Sequence, residues 1–281
     1  MGPEGIHPDL REEIKKADVD LRKMFGKDSE LESLDINTIH LDKTDSTNSF
    51  LRRQTELGLL TEGITMVWAD EQYGGRGQRG NTWESEPGKN LTFSLLIHPT
   101  FLAPSRQFVL SQAMALAVVN TLCKIDESEK DAFSVKWPND IYWNDYKIGG
   151  TLIECDLQGR SIKNCIIGTG LNLNQTEFRG DAPNPVSLIQ IFNREFQPTA
   201  VLDDICSEFL RLYGEIQKGG ASRVASAYKR RLYRRKGTHP YEDSYGVFYA
   251  SIQDIKPAGH LILRDTDGNI RRYAFKEVRF L

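Results

Sequence analysis

A glycine–arginine loop is the first feature of the sequence that could do chemistry. Residues 75–80 read GRGQRG, which matches the GxGxxG spacing of dinucleotide-binding loops. That motif must open a helix, but the following segment NTWESEPGKN contains Pro87 and Gly88 and cannot form one. The GxxxxGK[ST] loop of P-loop proteins and the HRD and DFG elements of protein kinases are also absent from the sequence. The loop predicts an anion site built from backbone amides, Arg76 and Arg79, with a solvated turn as the alternative.

Two further polar clusters follow predicted strands. KWPND, residues 136–140, ends one strand, and its proline would turn Asn139 and Asp140 outward. Lys147 follows Asp140 by seven residues and lies shortly before the glycine pair 149–150. GTGLN, residues 168–172, forms the other cluster. Taken singly, Lys147 is more simply an exposed strand lysine, and GTGLN a strand-end turn.

Together the clusters offer cations, an aspartate and backbone amides, but no histidine as a general base. The five histidines lie outside them, and neither a GxSxG nucleophile nor an HExxH metal motif is present. Such a pocket suits phosphoryl or nucleotidyl transfer, where positioning and charge stabilisation supply most of the catalysis.

The elements that must position these clusters alternate along the chain. Strands are predicted over INTIHLDKT, GITMVWADE, NLTFSLLIH, FSVKWP, DIYWNDYKIGGTLIEC and IKNCIIGTGLNLN. A short helix over 49–57 follows the capping residues DSTN. A helix over about 104–124 is apolar nearly all round, which predicts a buried core helix. Its stretch free of charge, residues 107–123, is shorter than the roughly 20 apolar residues that a membrane span needs. An amphipathic helix is predicted over 199–218, and short alternating strands after Gly237 predict a small β-barrel.

The composition is that of an ordinary folded protein: 281 residues, 39% hydrophobic and 27% charged. Residues 1–35 form a polar leader without the apolar region of a signal peptide, and we assign it no function. The four cysteines lack metal-binding spacing, which predicts reduced thiols in a cytoplasmic protein. Residues 229–281 hold 12 Lys and Arg against 6 Asp and Glu. This basic tail could meet nucleic acid or an acidic protein, although a solvated linker over 229–236 is the simpler reading.

The motifs DSTN, GRGQRGNTW, KWPND, KIGG and GTGLN, in this order and spacing, closely resemble those of the biotin protein ligases. The resemblance covers about residues 36–281, including the terminal segment Lys276-Glu277-Val278. It implies an α+β fold with a mixed or antiparallel sheet of the class II synthetase and biotin ligase–lipoate ligase type. Catalytic residues would then occupy 36–225, and an SH3-like barrel would occupy 233–281.

The resemblance also implies a two-step reaction. Biotin and Mg-ATP give biotinyl-5′-AMP, and the biotinyl group then passes to one lysine of a biotin carboxyl carrier protein or domain. Lys147, Arg76 and Arg79 would be catalytic, and Asp140 would lie near Mg²⁺. Biotin would be bound by Ser46, Thr47, Asn48, Gln72, Gly75, Arg76, Gly77, Gln78, Lys147 and Gly150. ATP and the adenylate would be bound by Arg76, Arg79, Trp83, Asn139, Lys147 and Asn172.

Two departures from the family pattern matter. Many members have Arg where this chain has Gln78, and often where it has Asn81, which weakens the expected hold on phosphate. Bifunctional members begin with a DNA-binding helix-turn-helix, whereas only 35 residues without that pattern precede the catalytic part here, so we expect no DNA binding.

Three questions stay open at this level. A lipoate–protein ligase shares the architecture, but its Arg-Arg-x-Ser-Gly-Gly loop is absent. A nucleic-acid-binding module using residues 229–236 is the alternative of another class. Both a monomer and a homodimer fit the sequence.

Overall fold

The computed structural model describes residues 36–77, 81–180, 182 and 184–281. The leader 1–35 and two predicted site residues, Gln78 and Arg79, lie outside these residues.

Seven strands form the larger sheet, which is mixed. They are β1 (Ile36–Thr44), β2 (Ile64–Gln72), β3 (Leu91–Ile97), β4 (Phe133–Lys136), β5 (Asp140–Trp143), β6 (Tyr146–Gln158) and β7 (Ser161–Leu171). Their order in space is β1-β2-β3-β7-β6-β5-β4. Only β1 and β2 run parallel, and every other neighbouring pair in this sheet is antiparallel. The predicted strands therefore form, and the mixed-sheet prediction is confirmed.

The two faces of this sheet carry different helices. α1 (Thr47–Glu56) packs on one face, where Val67, Leu96 and Ile166 belong to a small apolar cluster. The neighbouring residues on the same strands, such as Ile167, point to the opposite face and join the main core. Because side chains alternate along a strand, one sheet can bury both faces at once.

The main core is built around a central helix. α2 (Phe108–Ile125) has most of its residues buried, which explains its apolar sequence. Together with the preceding 3₁₀ turn it forms Pro104–Ile125, which is long and apolar enough to cross a membrane. However, 78% of its most apolar 18-residue stretch is buried inside the fold, as in a core helix. α2 packs against two helices that follow β7 in the chain.

Three helices follow the large sheet in the chain: α3 (Leu188–Phe192), α4 (Pro198–Gln217) and α5 (Ala221–Arg230). The sequence patterns predicted only α4. α5 buries Val224 and Tyr228, and the Tyr228 hydroxyl donates to the carbonyl of Pro138, 2.9 Å away. The predicted end of the catalytic part at residue 225 falls inside this helix. The division of the chain into 36–225 and 233–281 stays a prediction.

The C-terminal strands form a separate antiparallel sheet, consistent with the predicted SH3-like barrel. They are β8 (His239–Asp243), β9 (Gly246–Ile255), β10 (Leu261–Asp265), β11 (Ile270–Tyr273) and β12 (Arg279–Phe280), in the order β11-β10-β9-β8-β12. The sequence patterns missed β8. Trp137 ties this sheet to the larger one, because its indole N–H donates to the Gly259 carbonyl at 2.8 Å.

Candidate active site

A floor without side chains lies on the sheet face that carries α1. Gly150 on β6 pairs with Gly170 on β7, and Gly168 lies two residues before Gly170 on the same face. A Cβ added to Gly168 would lie 2.2 Å from Asn48 Oδ1, and one added to Gly170 would lie 2.4 Å from the Trp83 indole. Glycine is required at both positions because neighbouring groups occupy the space above the backbone.

The first turn of α1 forms one wall of this cleft. The Thr47 amide donates to Gln72 Oε1 at 3.0 Å, which joins the helix start to the end of β2. The Ser94 hydroxyl on β3 donates to Asn48 Oδ1 at 2.6 Å, and its oxygen lies within hydrogen-bond distance of the Thr47 hydroxyl, at 2.7 Å. The Ser46 side chain forms no capping hydrogen bond, although Ser46 is the residue that precedes the helix. The first turn is thus fixed by its neighbours, and Ser46, Thr47 and Asn48 line the cleft.

The Asp45 carboxylate, which precedes α1, is held by an arginine of that helix. The Arg53 guanidinium, whose two terminal nitrogens lie 2.7 and 2.9 Å from the Asp45 carboxylate oxygens, lowers the pKa of Asp45 to about 2. Asp45 also accepts from the Ser46 amide at 2.8 Å. This pair fixes the chain where β1 enters α1.

The described residues on either side of positions 78–80 pair with each other beside the cleft. Arg76 forms a β-bridge with Thr82, and the Gly77 amide donates to the Asn81 carbonyl at 2.6 Å. A Cβ on Gly75 would lie 2.4 Å from the Trp83 carbonyl, so Gly75 permits this close backbone approach. Its role in the described structure is to shape the loop, since it does not line the cleft.

A glutamate on β6 holds the loop arginine against the α1 wall. Glu154 accepts from Asn48 Nδ2 at 2.9 Å and from Arg76 Nη2 at 3.1 Å. Arg52 approaches the other carboxylate oxygen at 3.7 Å. Glu154 therefore links the loop, the helix start and the sheet. The sequence analysis missed it, although it lies on the same strand face as Gly150, four residues away.

An ion pair closes the other end of the cleft. Lys147 Nζ lies 2.7 Å from Asp140 Oδ1, on neighbouring antiparallel strands. A Cβ on Gly150 would lie 3.1 Å from the same Asp140 oxygen and 3.7 Å from Lys147 Cε. The Lys147 backbone is held on its other side, because its amide donates to the Asn184 carbonyl at 2.7 Å. Lysine, aspartate and bare backbone therefore meet at one place.

Three residues of the cleft carry buried polar atoms that have no hydrogen-bond partner among the described residues. These atoms are Trp83 Nε1, Thr151 Oγ1 and Thr169 Oγ1. A buried donor or acceptor without a partner costs about 1–3 kcal/mol. Such groups are expected where a polar ligand supplies the missing hydrogen bonds.

The structure brings most of the predicted site residues together in this cleft. The predicted residues that line it are Ser46, Thr47, Asn48, Gln72, Arg76, Gly77, Trp83, Lys147 and Gly150. The lining residues that the sequence analysis did not assign are Thr92, Thr151, Leu152, Gly168, Thr169 and Gly170. Three of these, Gly168, Thr169 and Gly170, belong to the GTGLN cluster, so that motif signalled the floor.

Two predicted adenylate residues bind backbone beside the cleft. The Asn139 amide donates to the Thr151 carbonyl. Asn172 is buried, and its amide donates to the Val186 carbonyl at 3.0 Å. Neither residue lines the cleft in the described structure. Their predicted contacts with ATP stay predictions.

Comparison with known proteins decides the family. The model of the biotin/lipoate A/B protein ligase family matches residues 41–172. A biotin–[acetyl-CoA-carboxylase] ligase of Paracoccus denitrificans is 30% identical over 241 residues, which cover 81% of this chain and 94% of that protein. The chain belongs to the biotin protein ligase family. Its glycine-floored cleft and the Lys147–Asp140 pair are thus features of a biotin protein ligase fold.

Two further relatives show how much of the chain is similar to known biotin protein ligases. The bifunctional ligase/repressor BirA of Bacillus subtilis is 27% identical over 216 residues, and the match spans 64% of that protein. The solved biotin protein ligase of Aquifex aeolicus in complex with biotin and ATP superposes with a TM-score of 0.70. It is 23% identical, and the superposition covers 87% of this chain and 99% of that one. The likeness to the Aquifex enzyme supports the fold.

Proposed function

We propose that this chain activates biotin with ATP to biotinyl-5′-AMP and transfers the biotinyl group to a lysine of a biotin carrier domain. The observation that carries the proposal is the cleft itself. Unpartnered polar atoms line a glycine floor, and the Lys147–Asp140 ion pair closes one end. The Paracoccus relative, named a biotin–[acetyl-CoA-carboxylase] ligase, supports the substrate and the acceptor class.

The proposed adenylation step needs positive charge beside the α-phosphate. When the biotin carboxylate attacks the α-phosphate, pyrophosphate leaves and negative charge builds on the phosphate oxygens. Lys147 at the closed end and Arg76 on the loop are the described cations that line the cleft. A fixed ammonium that meets this charge in the transition state lowers the barrier to adenylate formation. Arg79 would add a second loop charge.

The second step transfers an acyl group. The ε-amine of the acceptor lysine attacks the biotinyl carbonyl carbon, an amide bond forms, and AMP leaves with the electrons of the broken C–O bond. The amine loses a proton in this step. Glu154 already accepts from Arg76 and Asn48, so we assign the proton to solvent or to a phosphate oxygen.

The side-chain oxygens of Asp140 and Asn139 fit the ligand preference of Mg²⁺. Mg²⁺ prefers oxygen ligands and is commonly held by one or two carboxylates together with substrate phosphates. Asp140 supplies a carboxylate at the Lys147 end, and Asn139 supplies an amide oxygen beside it. Bound there, Mg²⁺ would supply charge neutralisation for the phosphates. Asp140 would then exchange its lysine partner for the metal.

Three parts of the proposal concern partners and location. The acceptor would be a carrier domain of a biotin-dependent carboxylase. DNA binding is not expected, and a cytoplasmic location stays a prediction from the sequence. The oligomeric state is open between monomer and homodimer.

The test is ATP-dependent transfer of labelled biotin to a purified carrier domain, with lipoate as the competing substrate. We expect labelling with biotin and ATP together, and none when ATP is omitted. Labelling by lipoate at a comparable rate would favour a lipoate–protein ligase, the other activity in the family's name. Absence of labelling with both acids would overturn the proposed function.

A further inference from the structure

Basic side chains line a surface groove beside the β5–β6 hairpin. The groove has a volume of about 730 Å³, and its lining residues are Asp145, Arg230, Tyr233, Arg234, Arg235, Lys236 and His239. Arg230, Arg235 and Lys236 are exposed at the surface. Four of the seven residues thus carry a permanent positive charge.

Little negative charge compensates these cations. Among the residues that the structure describes, no carboxylate side chain forms an ion pair with Arg230, Arg235 or Lys236. Arg234 donates to Pro240 O at 3.4 Å and to Leu281 O, a carboxyl oxygen of the last residue, at 2.5 Å, so it is less available than the other three cations. Asp145 accepts from the Tyr233 hydroxyl at 2.6 Å. The groove therefore presents a concentrated positive field to the solvent, which attracts anionic groups.

The groove adjoins the closed end of the cleft. Asp145, in its wall, lies in the turn before β6 and precedes Lys147 by two residues. Asn184 connects the two, because its side chain donates to the Asp145 carbonyl and its own carbonyl accepts from the Lys147 amide. A protein that brings an amine to the Lys147 end would therefore pass close to the groove.

We propose that this groove docks an acidic face of the protein that accepts the biotinyl group. The inference rests on the proposed function, since it names where the acceptor of that reaction binds. A protein is favoured over a small anion because the cations spread over an open surface outside the cleft. Opposite charges at the rim of an interface chiefly raise the association rate and make it sensitive to salt.

The experiment reverses two exposed charges of the groove in the full chain, Arg235→Glu with Lys236→Glu. Lys163→Glu with Arg264→Glu is the matched control, since both residues are exposed and lie on β7 and β10, outside the groove. Three reactions are measured: pyrophosphate–ATP exchange, transfer to hydroxylamine as a small uncharged acceptor, and transfer to a purified carrier domain. Thermal melting of each variant checks its folding.

We expect the groove variant to lose about tenfold in kcat/KM for the carrier domain. Exchange and transfer to hydroxylamine should stay at the wild-type level, and added salt should slow the wild type much more than the groove variant. The control pair should transfer to the carrier domain at the wild-type rate.

Three results would overturn docking in the groove. Unchanged transfer to the carrier domain would show that the acceptor binds elsewhere. A matching loss of exchange would assign the groove to the nucleotide. Where transfer is unchanged, binding of a labelled single-stranded oligonucleotide is compared in the two variants, and its loss in the groove variant alone would assign the groove to nucleic acid. Absence of exchange in the wild type would instead contradict the proposed function.

Discussion

Lys147 Nζ lies 2.7 Å from Asp140 Oδ1, and only 25% and 29% of the two side chains are exposed. The pair lies beside Gly150, where the backbone leaves room for a ligand. In this arrangement the aspartate neutralises the lysine. We expect substrate to separate the two, so that the ammonium meets phosphate and the carboxylate meets Mg²⁺. The ion pair is therefore the resting state of the proposed catalytic centre.

Asp140→Asn should raise the Mg²⁺ concentration that gives half-maximal exchange, by about tenfold, because the amide is a weaker metal ligand than the carboxylate. A Mg²⁺ titration of pyrophosphate–ATP exchange measures this. Asp156→Asn is the control, since this aspartate pairs with Arg52 and does not line the cleft. An unchanged Mg²⁺ dependence would remove Asp140 from the metal site.

Glu154→Gln should weaken biotin binding by about tenfold, because a hydrogen bond to a charged group contributes roughly 1.5–3 kcal/mol. The change removes the charge that holds Arg76 and Asn48 in place. Titration calorimetry with biotin measures the effect. Asp156→Asn, which also removes one negative charge from β6, is the control and should bind biotin like the wild type. Equal biotin affinity in wild type and Glu154→Gln would show that Glu154 does not organise the cleft.

Gly170→Ala should displace Trp83 and abolish measurable adenylate formation while the protein still folds. The added Cβ would lie 2.4 Å from the indole, far inside van der Waals contact. Gly214→Ala is the matched control, because no atom lies within 4 Å of its added Cβ. Alanine within a helix should stabilise that variant by about 0.5–1 kcal/mol. Wild-type exchange in Gly170→Ala would contradict the described position of Trp83.

Asp45→Asn should lower stability at neutral pH but not in strong acid. The pKa of Asp45 is about 2 in the fold, below its ordinary 3.8. A lowered pKa adds stability above pH 3.8, and this contribution disappears as the pH falls through 2. The pair is partly exposed, so the effect should be on the order of 0.5 kcal/mol.

Melting temperatures from pH 7 down to 2 test this prediction for Asp45. The difference between wild type and Asp45→Asn should be constant above about pH 5 and should vanish near pH 2. Glu56→Gln on the same helix serves as the control for loss of an exposed carboxylate. A difference that stays constant down to pH 2 would mean that the Arg53 contact does not stabilise the fold.

Local patterns predicted most of the large sheet, and the family resemblance named most of the residues that line the cleft. The apolar strands and the buried helix Phe108–Ile125 could be found from periodicity alone. The motifs around Arg76, Lys147 and Gly150 marked strand ends and turns that the fold brings together. Their chemistry was visible because glycine and charged residues are unusual beside apolar strands.

Features that depend on distant pairing could not be predicted. The position of Glu154 beside Arg76 depends on the register of β6 and on the path of the glycine loop. Helix Ala221–Arg230 buries only a few residues among charged ones, and Leu188–Phe192 spans barely more than one turn. Strand His239–Asp243 contains a proline and charged residues, which disguise its pattern. Tertiary packing, rather than local preference, decides these elements.

Pyrophosphate–ATP exchange by Lys147→Ala tests the central claim most directly, because it reports adenylate formation without the acceptor. If the Lys147 ammonium stabilises the transition state, exchange should fall by at least about a hundredfold while biotin still binds. Lys163→Ala, which changes an exposed lysine on β7, should keep wild-type exchange. Exchange by Lys147→Ala within about tenfold of the wild-type rate would contradict the catalytic role of Lys147.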